Sequence, residues 1–397
     1  MRVLMLHNRY LIPGGEDQST AAEVQLLTDY GHDVELLEHD NREIERLGVA
    51  RTAVRTIWSS DSYTRISDSL RAGHFDVMHV QNFFPLWSPS VYYAASRCGV
   101  PVVQTLRNYR LMCVNATFYR DHHVCEDCLS RAVPWPGIIH ACYRNSRAGS
   151  AVLAAMSGTH KLLGTWKKRI QTYIALTGFA RDKFIQGGFP EDRIIVKPNF
   201  VHPAPAYAQG GGCYALFVGR LSPEKGIATM LEAWKTARGP LPLKIVGDGP
   251  LTGMVKDATQ SCRLIEYLGR RAYAEIFELM GRAEFLVFPS EWFEGMPRTV
   301  IESFAVGTPV LATNIGATAS MIVPGRTGFH FGPGDISGLR SDVERFSQHL
   351  DLCRSMRENA RAEFEAKYTG AKNVDLLLHI YQKAAEIRHT TASTVRS

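Results

Sequence analysis

Two carboxylates, Glu294 and Glu302, flank a proline in the segment Phe293-Glu294-Gly295-Met296-Pro297-Arg298-Thr299-Val300-Ile301-Glu302. The segment follows an apolar run that ends at Phe288-Pro289-Ser290 and opens a predicted helix over 297–306. Pro297 suits the first helical turn, where its missing N–H costs nothing. Unsatisfied N–H groups at a helix N-terminus can seat a phosphate, and carboxylates beside them can accept hydrogen bonds from sugar and ribose hydroxyls. The same residues also read as a capping carboxylate followed by an exposed helical Glu.

Two cations, Arg220 and Lys225, occupy Val218-Gly219-Arg220-Leu221-Ser222-Pro223-Glu224-Lys225-Gly226, a strand-to-helix turn. An Arg fork and a Lys point charge match phosphoryl oxygens, although Arg-x4-Lys alone also describes a solvated turn. Gly247 and Gly249 in Val246-Gly247-Asp248-Gly249-Pro250, and Gly14-Gly15 near the N-terminus, mark further turns after strands. Neither is a G-x-G-x-x-G, so a dinucleotide-dependent dehydrogenase loses its main support.

Short apolar runs alternate with amphipathic segments, the pattern of a parallel sheet covered by helices. One such series occupies residues 1–200. The stretch 197–205 holds three prolines and no periodicity and reads as a linker. A second series runs over 206–368, and helical pattern continues to about Arg388 before a polar tail, with 369–397 expected to return to the N-terminal domain. In that last helix Val374, Leu377, Leu378, Tyr381 and Ala385 share one face. The expected class is α/β, two doubly wound Rossmann-like domains facing each other across a cleft, with ligand at the carboxyl ends of the strands.

The 397 residues exceed what one core can organise. A net charge of +6 without dense Lys/Arg tracts argues against a nucleic-acid partner. No apolar run approaches the ~20 residues that span a bilayer, and the Met1–Leu6 run lacks the features of a signal peptide, so a cytoplasmic protein is expected. Residues 160–169 mix basic and apolar side chains at helical spacing, which suits either an anionic membrane surface or a solvated helix. Met112, Trp135 and Trp234 read as core. Cys113, Cys125, Cys128 and Cys142 fall within thirty residues of an aromatic and basic insertion over 108–149. They could form a structural zinc site or pack as small apolar groups.

Taken together these pieces resemble the family 4 glycosyltransferases, retaining enzymes of GT-B architecture. The resemblance rests on the Gly14-Gly15 loop, Asp76–Asn82, Val218–Gly226, Gly247–Pro250, the Glu-x7-Glu element from Glu294 to Glu302, Gly307-Thr308-Pro309-Val310 and Gly325-Arg326-Thr327-Gly328. It implies that a sugar moves from a nucleoside-diphosphate sugar to a hydroxyl of a saccharide or lipid-linked acceptor, in cell-surface polysaccharide or glycolipid synthesis, with no divalent cation required. Arg220 and Lys225 would hold the pyrophosphate, Glu294 would lie near the transferred sugar, and Glu302 would accept from the ribose. Gly15, Gly219, Gly247, Gly249, Gly295, Met296 and Pro297 would line the donor site, and Asn82 and Arg107 the acceptor and sugar side. Arg107 stands where many members carry a His, and Gln81 where another is frequent; Arg107 cannot accept a proton. An epimerase or phosphorylase on the same fold, or a non-catalytic nucleotide-sugar-binding protein, are the alternatives.

Overall fold

The structure is a computed structural model that describes residues 1–11 and 14–394. Its contacts divide the chain into two units. The first comprises Met1–Phe118, Cys125–Pro198 and Ala371–Ser397; the second comprises Tyr119–Val124 and Asn199–Gly370.

The first unit is built on six parallel strands: β1 (Arg2–Arg9), β2 (Asp33–Asp40), β3 (Val77–Val80), β4 (Val102–Leu106), β7 (Thr172–Ala175) and β8 (Ile194–Val196), in the order β2-β1-β3-β4-β7-β8. The intervening β5 (Tyr119–Arg120) and β6 (His123–Val124) form a small antiparallel hairpin. β3, β4 and β7 are buried along their whole length. They therefore read as mostly apolar or β-branched runs rather than alternating ones, as expected of strands covered on both faces, interrupted by the buried polar residues His79 and Gln104.

The second unit repeats the plan with β9 (Ala215–Val218), β10 (Leu243–Val246), β11 (Ile265–Gly269), β12 (Phe285–Phe288), β13 (Val310–Thr313) and β14 (Gly328–Phe331), in the order β11-β10-β9-β12-β13-β14. Its core gathers Phe217, Ile227, Leu231, Trp234, Ile245, Phe285, Val287 and Phe346. The winding reverses between β9 and β12 here, and between β1 and β3 in the first unit. These are the switch points at which loops diverge and leave a crevice beyond the strand ends.

The last helix, Gly370–Thr394, lies almost wholly within the first unit. Its buried face is Asn373, Val374, Leu377, Ile380, Tyr381 and Ala384, whereas Leu378 and Ala385 are only half-buried. The face is thus rotated from the one that apolar spacing predicts, because Asn373 turns inward to a buried partner.

Three local expectations are corrected. Pro297 precedes the helix Arg298–Ala305 as its N-cap and is not in its first turn. Trp135 is 47% exposed, while Met112 and Trp234 are buried. Residues 160–169 do not form one amphipathic helix: Gly164, in the left-handed region, separates Arg147–Leu162 from Thr165–Lys168. His160 and Trp166 are core residues, and Leu162 and Leu163 are exposed.

Candidate active site

Loops that leave β9, β10 and β12 are laced together by their backbones. Gly219 N–H donates to Val246 O, Leu221 N–H to Asp248 O, and Glu291 N–H to Glu224 O. Glycine is required where these loops touch. A Cβ on Gly247, whose φ is +142°, would lie 1.8 Å from Gly219 O; one on Gly226 would lie 2.0 Å from Pro289 O; one on Gly249 would lie 2.4 Å from Leu221 O. The glycines at 247 and 249 therefore hold loop against loop. Gly219 is half-buried beneath them, with Phe217 3.2 Å from where its Cβ would be.

This lacing brings Lys225 to Glu294. Glu294 is buried, and its Oε1 accepts from Lys225 Nζ (2.5 Å), Ser290 Oγ (2.7 Å) and Trp292 Nε1 (2.8 Å). Its Oε2 has no protein donor among the described residues. Lys225 also stands 5.6 Å from the Phe288 ring centroid and 5.5 Å from that of Trp292, an arrangement that holds an ammonium without consuming its donors. Arg220, at the end of β9, is exposed and has no ion pair or side-chain hydrogen bond among the described residues.

Glu302 lies one turn inside the helix Arg298–Ala305. Its Oε1 accepts from Tyr273 Oη (3.0 Å) and Arg298 Nε (3.3 Å). Burial, and then the charge of Glu302, push the Tyr273 phenol up to about 12, so it remains a donor at neutral pH. No side chain caps that helix. Met296 is part of the packing: its carbonyl accepts from Asn199 Nδ2 and its side chain is buried beside Pro297. Gly295 is half-buried next to Glu294.

Around the strand ends of the first unit, Gly15 is exposed at the start of the helix Gly15–Asp29. Asn82 is turned inward: its Nδ2 donates to Asn8 O and its Oδ1 accepts from Phe84 N, so its amide shapes the turn after β3. Arg107 is buried, and its Nε and Nη2 both donate to Gln81 Oε1 (3.1 and 2.6 Å). Gln81 Nε2 donates to Glu23 Oε1 (2.5 Å), and Glu23 Oε2 accepts from Lys197 Nζ (2.7 Å). Burial opposes ionisation of Glu23, but the charges of Lys197, His79 and Arg107 outweigh it and hold the carboxyl at about 2. Burial holds His79 down to about 4, where its rings of partners are Tyr381 Oη (2.8 Å) and Thr105 Oγ1 (2.7 Å).

Glu23, His79, Lys197, Ser290, Trp292 and Tyr273 were not singled out by sequence reasoning. Trp292 and Ser290 lie within four residues of Glu294 and were within reach of it. Glu23 and Lys197 are 174 residues apart, and no local pattern pairs them.

The charges of Cys113, Cys142 and Cys125 reach the Cys128 thiol, which burial first of all pushes up to about 12. Among the described residues, however, no three His, Cys, Asp or Glu side chains are placed to hold a metal ion.

Residues 207–363 match the family model described as Glycosyl transferases group 1. An uncharacterised glycosyltransferase of Methanocaldococcus jannaschii is 28% identical over 209 residues, 51% of this chain and 58% of that protein. A putative teichuronic acid biosynthesis glycosyltransferase of Bacillus subtilis, TuaC, is 28% identical over 172 residues, 42% of this chain and 41% of that protein. The chain thus spans about half the length of such curated proteins. Among solved structures, Anabaena HepE in complex with UDP superposes with TM-score 0.65 at 17% identity, covering 99% of this chain and all of that one. A glycosyltransferase from Rickettsia africae does so with TM-score 0.68 at 18% identity, covering 96% of this chain and 98% of that one. The chain has the GT-B fold, and its second unit carries the stretch that matches the group 1 glycosyl transferases.

Proposed function

We propose that this protein is a retaining glycosyltransferase that moves a sugar from a nucleoside-diphosphate sugar to an acceptor hydroxyl in cell-surface polysaccharide or glycolipid synthesis. The observation that carries the reading is the convergence of Lys225, Ser290 and Trp292 on Glu294 Oε1 at the switch point of the second unit, with the exposed Arg220 on the same β9 loop as Lys225. A site with two cations and an uncapped helix N-terminus is made for a diphosphate. The HepE structures hold UDP and UDP-glucose, and TuaC is described as a putative teichuronic acid biosynthesis glycosyltransferase, in line with this substrate class.

In this mechanism Arg220 and Lys225 hold the pyrophosphate and stabilise the charge that builds as the anomeric carbon–oxygen bond breaks. Each preorganised donor of this kind contributes ~10²–10³ in rate. Glu294 Oε2 faces a hydroxyl of the transferred sugar, and Glu302, braced by Tyr273 and Arg298, accepts from the ribose. The acceptor oxygen bonds to the anomeric carbon on the face that the phosphate leaves, and the acceptor proton passes to the departing phosphate oxygen. With the leaving group neutralised by these two side chains, no divalent cation is required, and chelation by EDTA is expected to leave turnover unchanged.

The deciding experiment is a transfer and hydrolysis screen over UDP-, GDP- and ADP-sugars, with the anomeric configuration of the product read by NMR. Product of inverted configuration would remove the retaining mechanism. Nucleotide-sugar binding without turnover on any donor would favour a non-catalytic binding protein.

The same reading takes the enzyme to a membrane face. No helix among the described residues is long and apolar enough to cross a membrane. In the first unit, His160 Nε2 meets Ile57 O, joining the ends of two helices whose Val54 (70% exposed) and Leu162 (75% exposed) face solvent, with exposed Lys167 and Lys168 following. Exposed apolar side chains followed by lysines suit a peripheral contact with anionic lipid on the cytoplasmic side. Sedimentation with vesicles rich in anionic lipid, and not with zwitterionic ones, is the expected result.

A further inference from the structure

Arg110 lies in the segment that follows β4, and the groups around it follow the neighbouring strands of the same unit. Its guanidinium stands 4.2 Å from the Phe84 ring centroid, after β3, and 5.8 Å from that of Tyr143. Its backbone N–H donates to Asn108 Oδ1 (3.1 Å). Tyr10, after β1, is within reach of its charge. Glu16 belongs to the same cluster, but its oxygens are taken by neutral donors, Oε2 by Tyr10 Oη (2.8 Å) and Oε1 by Asn108 Nδ2 (2.9 Å).

Arg110 consequently has no ion pair among the described residues, and its Nη1 is buried without any hydrogen-bond acceptor. Ring faces offset the cation's charge but accept no N–H hydrogen bond of ordinary strength. A buried, charged N–H without an acceptor costs more than a neutral one, so such a group calls for a partner. The fork is held by aromatic stacking with its donors uncommitted, which is the arrangement that receives a planar or tetrahedral oxyanion in a bidentate way. Its position at the β1/β3 switch point puts that oxyanion where an α/β sheet receives ligand.

We propose that Arg110 seats an oxyanion of the acceptor, so that the preferred acceptor carries a carboxylate or a phosphate ester close to the hydroxyl that is glycosylated. This rests on the glycosyltransferase reading and adds to it the chemical class of the acceptor. Tyr143 is contributed by the insertion over 108–149, which thereby supplies one wall of the seat.

The test uses the full chain saturated with UDP, which occupies the donor site, and three probes followed by ligand-observed NMR: methyl glucuronide, glucose 1-phosphate and neutral methyl glucoside. The wild type is expected to bind at least one anionic probe about 10-fold or more tightly than the neutral one, and the pair of anionic probes separates a carboxylate from a phosphate ester. Arg110→Gln should abolish that preference, and Arg110→Lys, which keeps the charge but loses the fork, should retain only part of it. Equal binding of all three probes by wild type, or an undiminished preference in Arg110→Gln, overturns the proposal. Should Arg110→Gln fail to fold, the Arg110→Lys series decides, because an unchanged preference there rules out the bidentate seat. If UDP itself does not bind, the donor-site reading fails separately. The probes are then compared on Arg220→Ala/Lys225→Ala protein, where preference still reports on Arg110.

Discussion

The ammonium of Lys225 and the carboxylate of Glu294 meet at 2.5 Å although 69 residues separate them in the chain. Lys225 comes from the loop after β9 and Glu294 from the loop after β12, the two strands between which the winding of the second sheet reverses. The pair therefore does two things at once. It ties the loop after β9 to the loop after β12, and it fixes the ammonium of Lys225 between the carboxylate and the rings of Phe288 and Trp292.

From this pairing, Lys225→Ala and Glu294→Gln should not be additive. Either change alone is expected to lower turnover ~10²–10³-fold. The double variant should fall by less than the product of the two, because each single change already disrupts the same contact. Stability should drop by only ~1–2 kcal/mol for Lys225→Ala, since Ser290 and Trp292 still donate to Glu294. A transfer assay on all four proteins, with thermal unfolding alongside, gives the coupling; strict additivity would mean that the two side chains act independently.

The loop glycines give a contrasting pair of substitutions. Gly247→Ala puts a methyl 1.8 Å from Gly219 O at a φ of +142°, so the β9 loop must move and carry Arg220 with it. A loss of ~2 kcal/mol or more in stability and a clear weakening of UDP binding are expected. Gly253 lies in the helix Thr252–Ser261 with nothing within 4 Å of an added Cβ, and Gly253→Ala should be neutral or stabilising by up to ~1 kcal/mol. Differential scanning calorimetry and UDP titration of both variants check the contrast.

How much of this was legible beforehand follows from the range of each interaction. Arg220, Lys225, Glu294 and Glu302 lie in local motifs whose strand–turn–helix context is visible in the sequence. The two-sheet architecture shows in the alternation of apolar runs with amphipathic ones. The hydrogen bonds of Asn82 and Arg107 are set by partners farther off in the sequence or in a turn: Asn82 Oδ1 accepts from Phe84 N, and Arg107 donates to Gln81. The polar cluster of Glu23, His79 and Lys197 depends on three segments far apart in sequence, and buried polar groups at such separations leave no periodic trace.

That polar cluster should make the protein acid-sensitive in two steps. His79 is held neutral down to about 4 in the fold, whereas an unfolded His titrates near 6.5. Below that value the unfolded chain takes up a proton that the folded chain does not, so stability falls as pH drops from about 6.5 towards 4. Glu23 is held at about 2, so its contribution is present above the ordinary carboxyl range and is lost as pH falls from there towards 2. Burial lowers His39, His160 and His330 as well, so urea unfolding followed against pH should show a first decline that His79→Asn diminishes and a second that it leaves in place. A flat stability between pH 6.5 and 4 in the wild type would contradict the assignment.

The last helix provides the final prediction. Lys197 Nζ reaches both Glu23 Oε2 (2.7 Å) and Asn373 Oδ1 (2.9 Å), Asn373 Nδ2 donates to Pro198 O (2.7 Å), and Tyr381 Oη meets His79. Truncation after Tyr368 removes Asn373 and Tyr381 from these partners and strips Val374, Leu377 and Ile380 from the surface they cover. The first unit should then unfold at lower temperature even though all six of its strands remain. Point changes apportion the loss: Leu377→Ala, fully buried, should cost ~2–5 kcal/mol, and Tyr381→Phe ~1 kcal/mol. Limited proteolysis should find the first cleavages within the first unit of the truncated protein, while UDP binding by the second unit persists. Were Leu377→Ala to unfold at the wild-type temperature, the helix would be a passenger on the first unit, not part of its core.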